Sequence, residues 1–164
     1  MPAFLYGEGC GGDHISAQGS AANNVLTGHG NNEVLTGGQG RDLLIGGTGA
    51  ATLDAGVGDD VLIGGWTNND ILNGAGPNTS TTYDQKLAAL FAVMAEWGSS
   101  DSYSARLNAL ASYLNTSTVH DNYSNGQPVT DYLYGDVNAN DWFFAGVNDV
   151  IKRKNKNDVV TTIS

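Results

Sequence analysis

Short oxygen-bearing side chains recur at Asp13, Asn23, Asn32, Asp42, Asp60, Asn69 and Asn78, with Ala51 interrupting the series. Neighbouring positions lie nine or ten residues apart. Glycines crowd the residues just before them, as in Gly37-Gly38-Gln39-Gly40-Arg41-Asp42 and Gly56-Val57-Gly58-Asp59-Asp60. Glycine turns reach positive φ and let carbonyl oxygens converge. Carboxylate, amide and carbonyl oxygens are the ligands of hard cations. The chemistry open to these residues is therefore cation binding.

The elements that must position them are equally periodic. Two residues after each of these positions as far as Asn69, Ala51 included, stands an aliphatic one: Ile15, Val25, Val34, Leu44, Leu53, Leu62 and Ile71. Nine residues make a tight turn plus a short strand, and eighteen make a coil with two facing strands. The pattern predicts parallel strands whose aliphatic residues point inward along a thin core, each coil burying its neighbour. Flanking strand positions alternate outward. Leu43, Ile45, Val61 and Ile63 then form an apolar outer face that needs a cover, expected from the later helices of the chain, with another subunit as the alternative. The other outer face carries Glu33, Leu35, Thr52, Asp54, Asp70 and Leu72.

Residues 7 to about 78 resemble the RTX family of hemolysin-type calcium-binding nonapeptide repeats, G-G-x-G-x-D-x-U-x with U aliphatic. The resemblance implies a mostly β fold, a parallel β-roll, with Ca2+ held between turns two repeats apart. One side then reads Asp13, Asn32, Ala51, Asn69 and the other Asn23, Asp42, Asp60, Asn78. Asp42 and Asp60, with Gly38, Gly40, Gly56 and Gly58, are expected to make the best site. Asn23 with Asp42, and Asp60 with Asn78, make weaker ones. On the first side Asp13 and Asn32 are candidates, but Ala51 brings no oxygen, and amides there could bridge turns without metal.

Beyond Ser80 the period becomes helical. Leu87, Leu90, Phe91, Met94 and Trp97 predict a helix from about Tyr83, with Thr82 and Gln85 as a capping box. Tyr103, Leu107, Leu110, Ala111 and Leu114 predict a second helix over about 102–114. Strand signals return at Leu133, Phe143, Ile151 and Val160, each two residues after Asp131, Asp141, Asp149 or Asp158. These aspartates are expected to bond local backbone N–H groups. The organisation expected is a roll over 1–80, a helical hairpin insert over 81–117, and a degenerate strand continuation over 118–164. The basic run Lys152-Arg153-Lys154-Asn155-Lys156 reads as a solvated hairpin turn.

Composition narrows the function. The formal charge is −10, and residues 1–151 hold 16 acidic against 3 basic side chains. That balance disfavours nucleic acid. The single cysteine, Cys10, rules out a disulfide framework within this sequence. There is no G-x-S-x-G or H-E-x-x-H pattern, and no enzyme is expected. No transmembrane segment or cleavable N-terminal leader is evident. The RTX resemblance implies one-step secretion with an uncleaved C-terminal signal, to which Asp158–Ser164 is similar. The function expected is a secreted calcium-binding structural protein that stacks end to end into a filament or matrix. The alternative is a folding and secretion module of a larger RTX-type enzyme or adhesin. No small-molecule substrate is indicated.

Overall fold

The structure is a computed structural model, and it describes residues 3–7, 11–69 and 83–164. The described residues are mostly β, with two short helices and two sheets of parallel strands. The first seven strands are β1 (Phe4–Tyr6), β2 (His14–Ser16), β3 (Val25–Thr27), β4 (Glu33–Thr36), β5 (Leu43–Ile45), β6 (Ala51–Asp54) and β7 (Val61–Ile63). They join the two sheets alternately. The chain then departs through β8 (Gly65–Thr67), α1 (Tyr83–Trp97), α2 (Tyr103–Leu110), β9 (Val119–Asp121) and the small hairpin β10 (Tyr123–Ser124) and β11 (Gln127–Pro128). It returns as β12 (Tyr132–Tyr134), β13 (Trp142–Ala145), β14 (Val150–Lys152) and β15 (Val159–Thr162).

The returning strands extend the original sheets. One sheet runs β1-β3-β5-β7-β13-β15 and the other β14-β12-β6-β4-β2. Leu133 pairs with Leu53, and Phe143 with Leu62, in parallel register. This arrangement is consistent with an RTX-type β-roll.

Between the sheets lies a buried file of Ile15, Leu26, Leu35, Leu44, Leu53, Leu62, Leu133 and Phe143. Two expectations shift by one residue here. Leu26, not Val25, aligns with Leu44, and Leu35, not Val34, aligns with Leu53. The cause is the turn between β2 and β3, which spans 17–24, against 37–42 for the next turn on that side. The extra length displaces the register, so the inward positions run 15, 26, 35, 44, 53 and 62.

A second core covers the outer face of the first sheet. Leu43, Ile45, Val61, Ile63, Trp142 and Phe144 pack against Leu90, Val93, Met94 and Trp97 of α1 and Leu110 of α2. Phe91 departs from expectation. It is exposed, and it meets Phe4 edge-on at 6.5 Å. The second helix is shorter than expected, with Ser102 accepting from the Ala105 N–H as its N-cap. Turns replace helix from Ala111, although Leu114 is still buried. Thr82, Asp70, Ile71 and Leu72 lie outside the described residues.

The basic run is not a hairpin. It joins β14 in one sheet to β15 in the other, with Arg153 at φ 55°. Arg153 reaches Asp54 at 2.5 Å, and its guanidinium sits over Tyr134.

Candidate cation-binding turns

The turns on one side of the sheets form a ladder of side chains 17–18 residues apart along each continuous stretch. The Asn24 N–H donates to Asp42 Oδ1 at 2.6 Å, and the Asp42 N–H to Asp60 Oδ1 at 2.6 Å. The Asp60 N–H donates to Asp141 Oδ1, and the Asp141 N–H to Asp158 Oδ1, both at 2.8 Å. The second carboxylate oxygen usually closes its own turn. Gly38 donates to Asp42 Oδ2, Asp136 to Asp141 Oδ2, and Asn155 to Asp158 Oδ2. Asp60 is the exception. Its Oδ2 is buried with no hydrogen-bond partner among the described residues.

Glycines bring these turns together. A Cβ on Gly40 would overlap the carbonyl oxygen of Ala22, one on Gly58 that of Gly40, and one on Gly56 that of Gly38. Gly56 and Gly58 also hold φ 91° and 132°. Successive turns are tied by Gln39 N–H to Ser20 O at 2.7 Å and Val57 N–H to Gly38 O at 2.9 Å.

The structure thus joins Asp42, Asp60, Gly38, Gly40, Gly56 and Gly58 on adjoining turns. Asn23 is one residue off. The rung belongs to Asn24, and Asn23 Oδ1 accepts the Arg41 N–H at 2.9 Å. The rung above Asp60 is Asp141, and Asn78 lies outside the described residues.

On the opposite side, Asp13 is on a rung, but its partner is Glu33, not Asn32. Glu33 accepts from the N–H groups of Asp13 and Gly30, while Asn32 sits at φ 63°. Asn69 is not on this ladder, because the chain has already left the sheets at β8. Above Ala51 the rungs are Asp131 and Asp149, so this side gains carboxylates from the C-terminal strands. Ala51 N–H donates to Asp131 Oδ1 at 2.6 Å, and Asp131 N–H to Asp149 Oδ1 at 2.8 Å. The C-terminal aspartates therefore bond both local and distant N–H groups.

Burial without counter-charge raises these carboxyls. Burial pushes Asp131 up to about 8, Asp141 to about 7 and Asp149 to about 6, with neighbouring carboxylates adding to the rise. Asp60 is raised well above the usual range by burial and by Asp141, Asp42 and Asp59. Asp42 is raised by burial against the pull of its N–H donors. Among the described residues, none of Asp42, Asp60 and Asp141 is in an ion pair, and no three His, Cys, Asp or Glu side chains already form a metal cluster.

Two residues missed by the sequence reading organise the flank. Asp59 accepts from Asn140 N–H at 2.9 Å and from Arg106 Nη2 at 2.5 Å, with Arg41 Nε 3.8 Å away. Arg106 is 2% exposed and lies 4.6 Å over the Trp97 ring. Trp97 Nε1 returns a bond to Asp59 O at 2.7 Å. Arg41 and Arg106 also cap the Trp97 carbonyl at the end of α1. The signal available in the sequence was a lone base on the apolar side of a helix, between Tyr103 and Leu110.

The family model of the RTX calcium-binding nonapeptide repeat (4 copies) matches twice, over residues 16–44 and 45–79. Residues 16–79 carry RTX repeats. These repeats are calcium-binding motifs, and the RTX glycines and aspartates of this chain are the ones that build the ladder from Asp42 to Asp60. No curated protein and no solved structure matches the chain. Among the described residues, no helix is long and apolar enough to cross a membrane.

The donor set fits calcium at the Asp60 rung. It is all oxygen, the Asp60 carboxylate has a buried oxygen to spare, and the turn glycines leave no room for a Cβ beside the carbonyls of Gly38 and Gly40. Asp42 has both oxygens committed to N–H donors.

Proposed function

We propose that this chain is a secreted, non-catalytic structural protein whose parallel β-roll folds fully on binding calcium outside the cell. One observation carries the reading: the column Asp42, Asp60, Asp141, with carboxylates buried one above another and no cationic side chain among the described residues paired to them. Burying unpaired charge opposes folding. Bound calcium supplies the neutralising charge, and its binding free energy becomes folding free energy. Asp60, with turn carbonyls from Gly38, Gly40, Gly56 and Gly58, would hold the ion, and Asp42 orders the turn beside it. Where calcium is scarce the same carboxylates keep the roll open, which suits export before folding.

The roll also stacks end to end in this reading. β1 and β2 lie at one end and β14 and β15 at the other, each with an edge that pairs with no strand among the described residues. Such edges accept further strands. Val160 is exposed at one end, and Leu5 is half-buried at the other.

A calcium titration followed by circular dichroism tests the switch, with Asp42→Ala and Asp60→Ala as controls. β signal should appear with calcium and require a higher concentration in both variants. Complete folding in chelator would overturn it. Electron microscopy at high protein concentration with calcium tests stacking, and discrete monomers alone would end that part.

A further inference from the structure

We propose a second cation site, outside the RTX repeats, formed by Asp121 and Asn122 at the end of β9 and selective for a hard divalent cation such as calcium. It does not rest on calcium binding by the repeat turns.

Asp121 and Asn122 are 4% and 1% exposed. Asp121 Oδ1 accepts the Asn122 N–H at 2.9 Å, but Oδ2 has no partner. Asn122 Nδ2 donates to Gly49 O at 2.9 Å and to Asp131 Oδ2 at 3.0 Å, which fixes the amide orientation. Its Oδ1 is then left buried with no donor. Two neighbouring residues thus each bury an acceptor oxygen that nothing satisfies, a costly arrangement that calls for a bound group with positive charge.

The surroundings carry the same sign. Asp149 Oδ2 accepts the Gly146 N–H at 2.7 Å, and the Asp121 carboxylate lies against the Cα of Gly146, where a Cβ would overlap it. A Cβ on Gly64 would come within 2.6 Å of Asp149 Oδ2 and 3.2 Å of Asp131 Oδ2. Asp121, Asp131 and Asp149 therefore gather around two glycines, and none of them is in an ion pair among the described residues. Burial raises Asp131 and Asp149, and the charges of Asp149 and Asp121 add to the rise at Asp131 and that of Asp121 to the rise at Asp149.

A cavity adjoins the pair. Asp121 and Asn122 line a cavity of about 380 Å³ together with Trp66, His120 and Tyr123. Trp66 stacks on His120 with ring centroids 4.3 Å apart, and His120 Nε2 is engaged with Asn68 Oδ1 at 2.9 Å. The free donors are all oxygen, which selects hard cations over zinc or copper. Asp121 Oδ2 and Asn122 Oδ1 are the direct ligands, water from the cavity completes the shell, and Asp131 and Asp149 supply charge from behind.

The test uses the full chain. Calcium stoichiometry is measured by equilibrium dialysis for the wild type, Asp121→Asn, Asn122→Ala and Asp60→Asn. Terbium luminescence excited through tryptophan is read in parallel, with Trp66→Phe as control. Asp121→Asn should lose one bound ion and the part of the terbium emission that Trp66→Phe also removes. Asn122→Ala removes the amide ligand and should weaken that ion about tenfold. Asp60→Asn should leave both readouts of this site intact. Unchanged stoichiometry in Asp121→Asn overturns the site. If that variant does not fold, unchanged affinity in Asn122→Ala overturns it instead. Loss of an ion in Asp121→Asn but not in Asp60→Asn would support this site while removing the repeat-turn reading.

Discussion

The main-chain N–H of Asp60 donates to the carboxylate of Asp141, 81 residues further along the chain, at 2.8 Å. Asp42 makes the same bond to Asp60 across 18 residues at 2.6 Å. The ladder is thus continuous across an excursion that includes both helices. What links the RTX segment to the C-terminal strands is the same buried bond that links one repeat to the next.

That bond should matter energetically. Asp141→Ala leaves the buried Asp60 N–H without an acceptor, at a cost of about 1–3 kcal/mol. Urea unfolding would measure the loss. Hydrogen exchange should show protection falling first at Phe143 and Val159, since β13 and β15 hang from this rung. Uniform loss across all strands would contradict a local role.

Arg106 is buried against Asp59, so removing it leaves a carboxylate with a distant Arg41 alone. Arg106→Ala should destabilise the protein by about 3–5 kcal/mol, as expected when one partner of a buried pair is removed. Arg106→Lys keeps the charge but cannot reach both Asp59 and the Trp97 carbonyl as a planar fork. Thermal melts followed by tryptophan fluorescence should rank wild type above Lys and Lys above Ala.

Gly58 sits at φ 132° with its Cα against the carbonyl of Gly40. Gly58→Ala places a methyl where that oxygen is, and must push two turns apart. Calcium affinity and thermal midpoint should fall together. Gly126→Ala is the control: it also has positive φ, at 74°, but open space around its Cβ position, so it should carry the backbone strain alone and keep calcium affinity.

The pH dependence follows from the raised carboxyls. Their folded forms hold protons more tightly than the unfolded chain, whose carboxyls titrate near the ordinary 3.8. The associated stability is fully present below that value. It is lost as pH rises through about 6 for Asp149, about 7 for Asp141 and about 8 for Asp131. In chelator, the β signal in circular dichroism should therefore be weaker at pH 8 than at pH 5. Calcium, which favours the charged carboxylates, should flatten the difference. A β signal that climbs with pH in chelator would contradict the assignment.

Much of this was legible in the sequence because strand period and turn composition are local properties. Leu44, Leu53 and Leu62 stand nine residues apart and all face the core. Leu43, Ile45, Val61 and Ile63 were readable as a face needing cover, and α1 provides it. The first repeats were misread because Val25-Leu26 and Val34-Leu35 each offer two aliphatics, and only pairing with the next strand chooses between them. Asn23 and Asn32 were misassigned for the same reason. Asp131 and Asp149 belong to the Ala51 side, a relation set by where the chain re-enters the sheets after 67 residues away, between Ile63 and Asp131. No periodic pattern spans that gap. Asp59 and Arg106 meet only in three dimensions.

The alternation of strands between two sheets gives the repeat region a parity. Excising eighteen residues, such as 37–54, removes a whole coil and leaves every remaining strand in its own sheet. Excising nine, such as 28–36, exchanges the sheets for everything downstream. The helices travel with β5 and β7, so Phe4 and Val25 would then lose their helical cover, and His14 and Ser16 would be brought to that face. Length changes in this chain are thus tolerable in even numbers of nonapeptides and ruinous in odd ones.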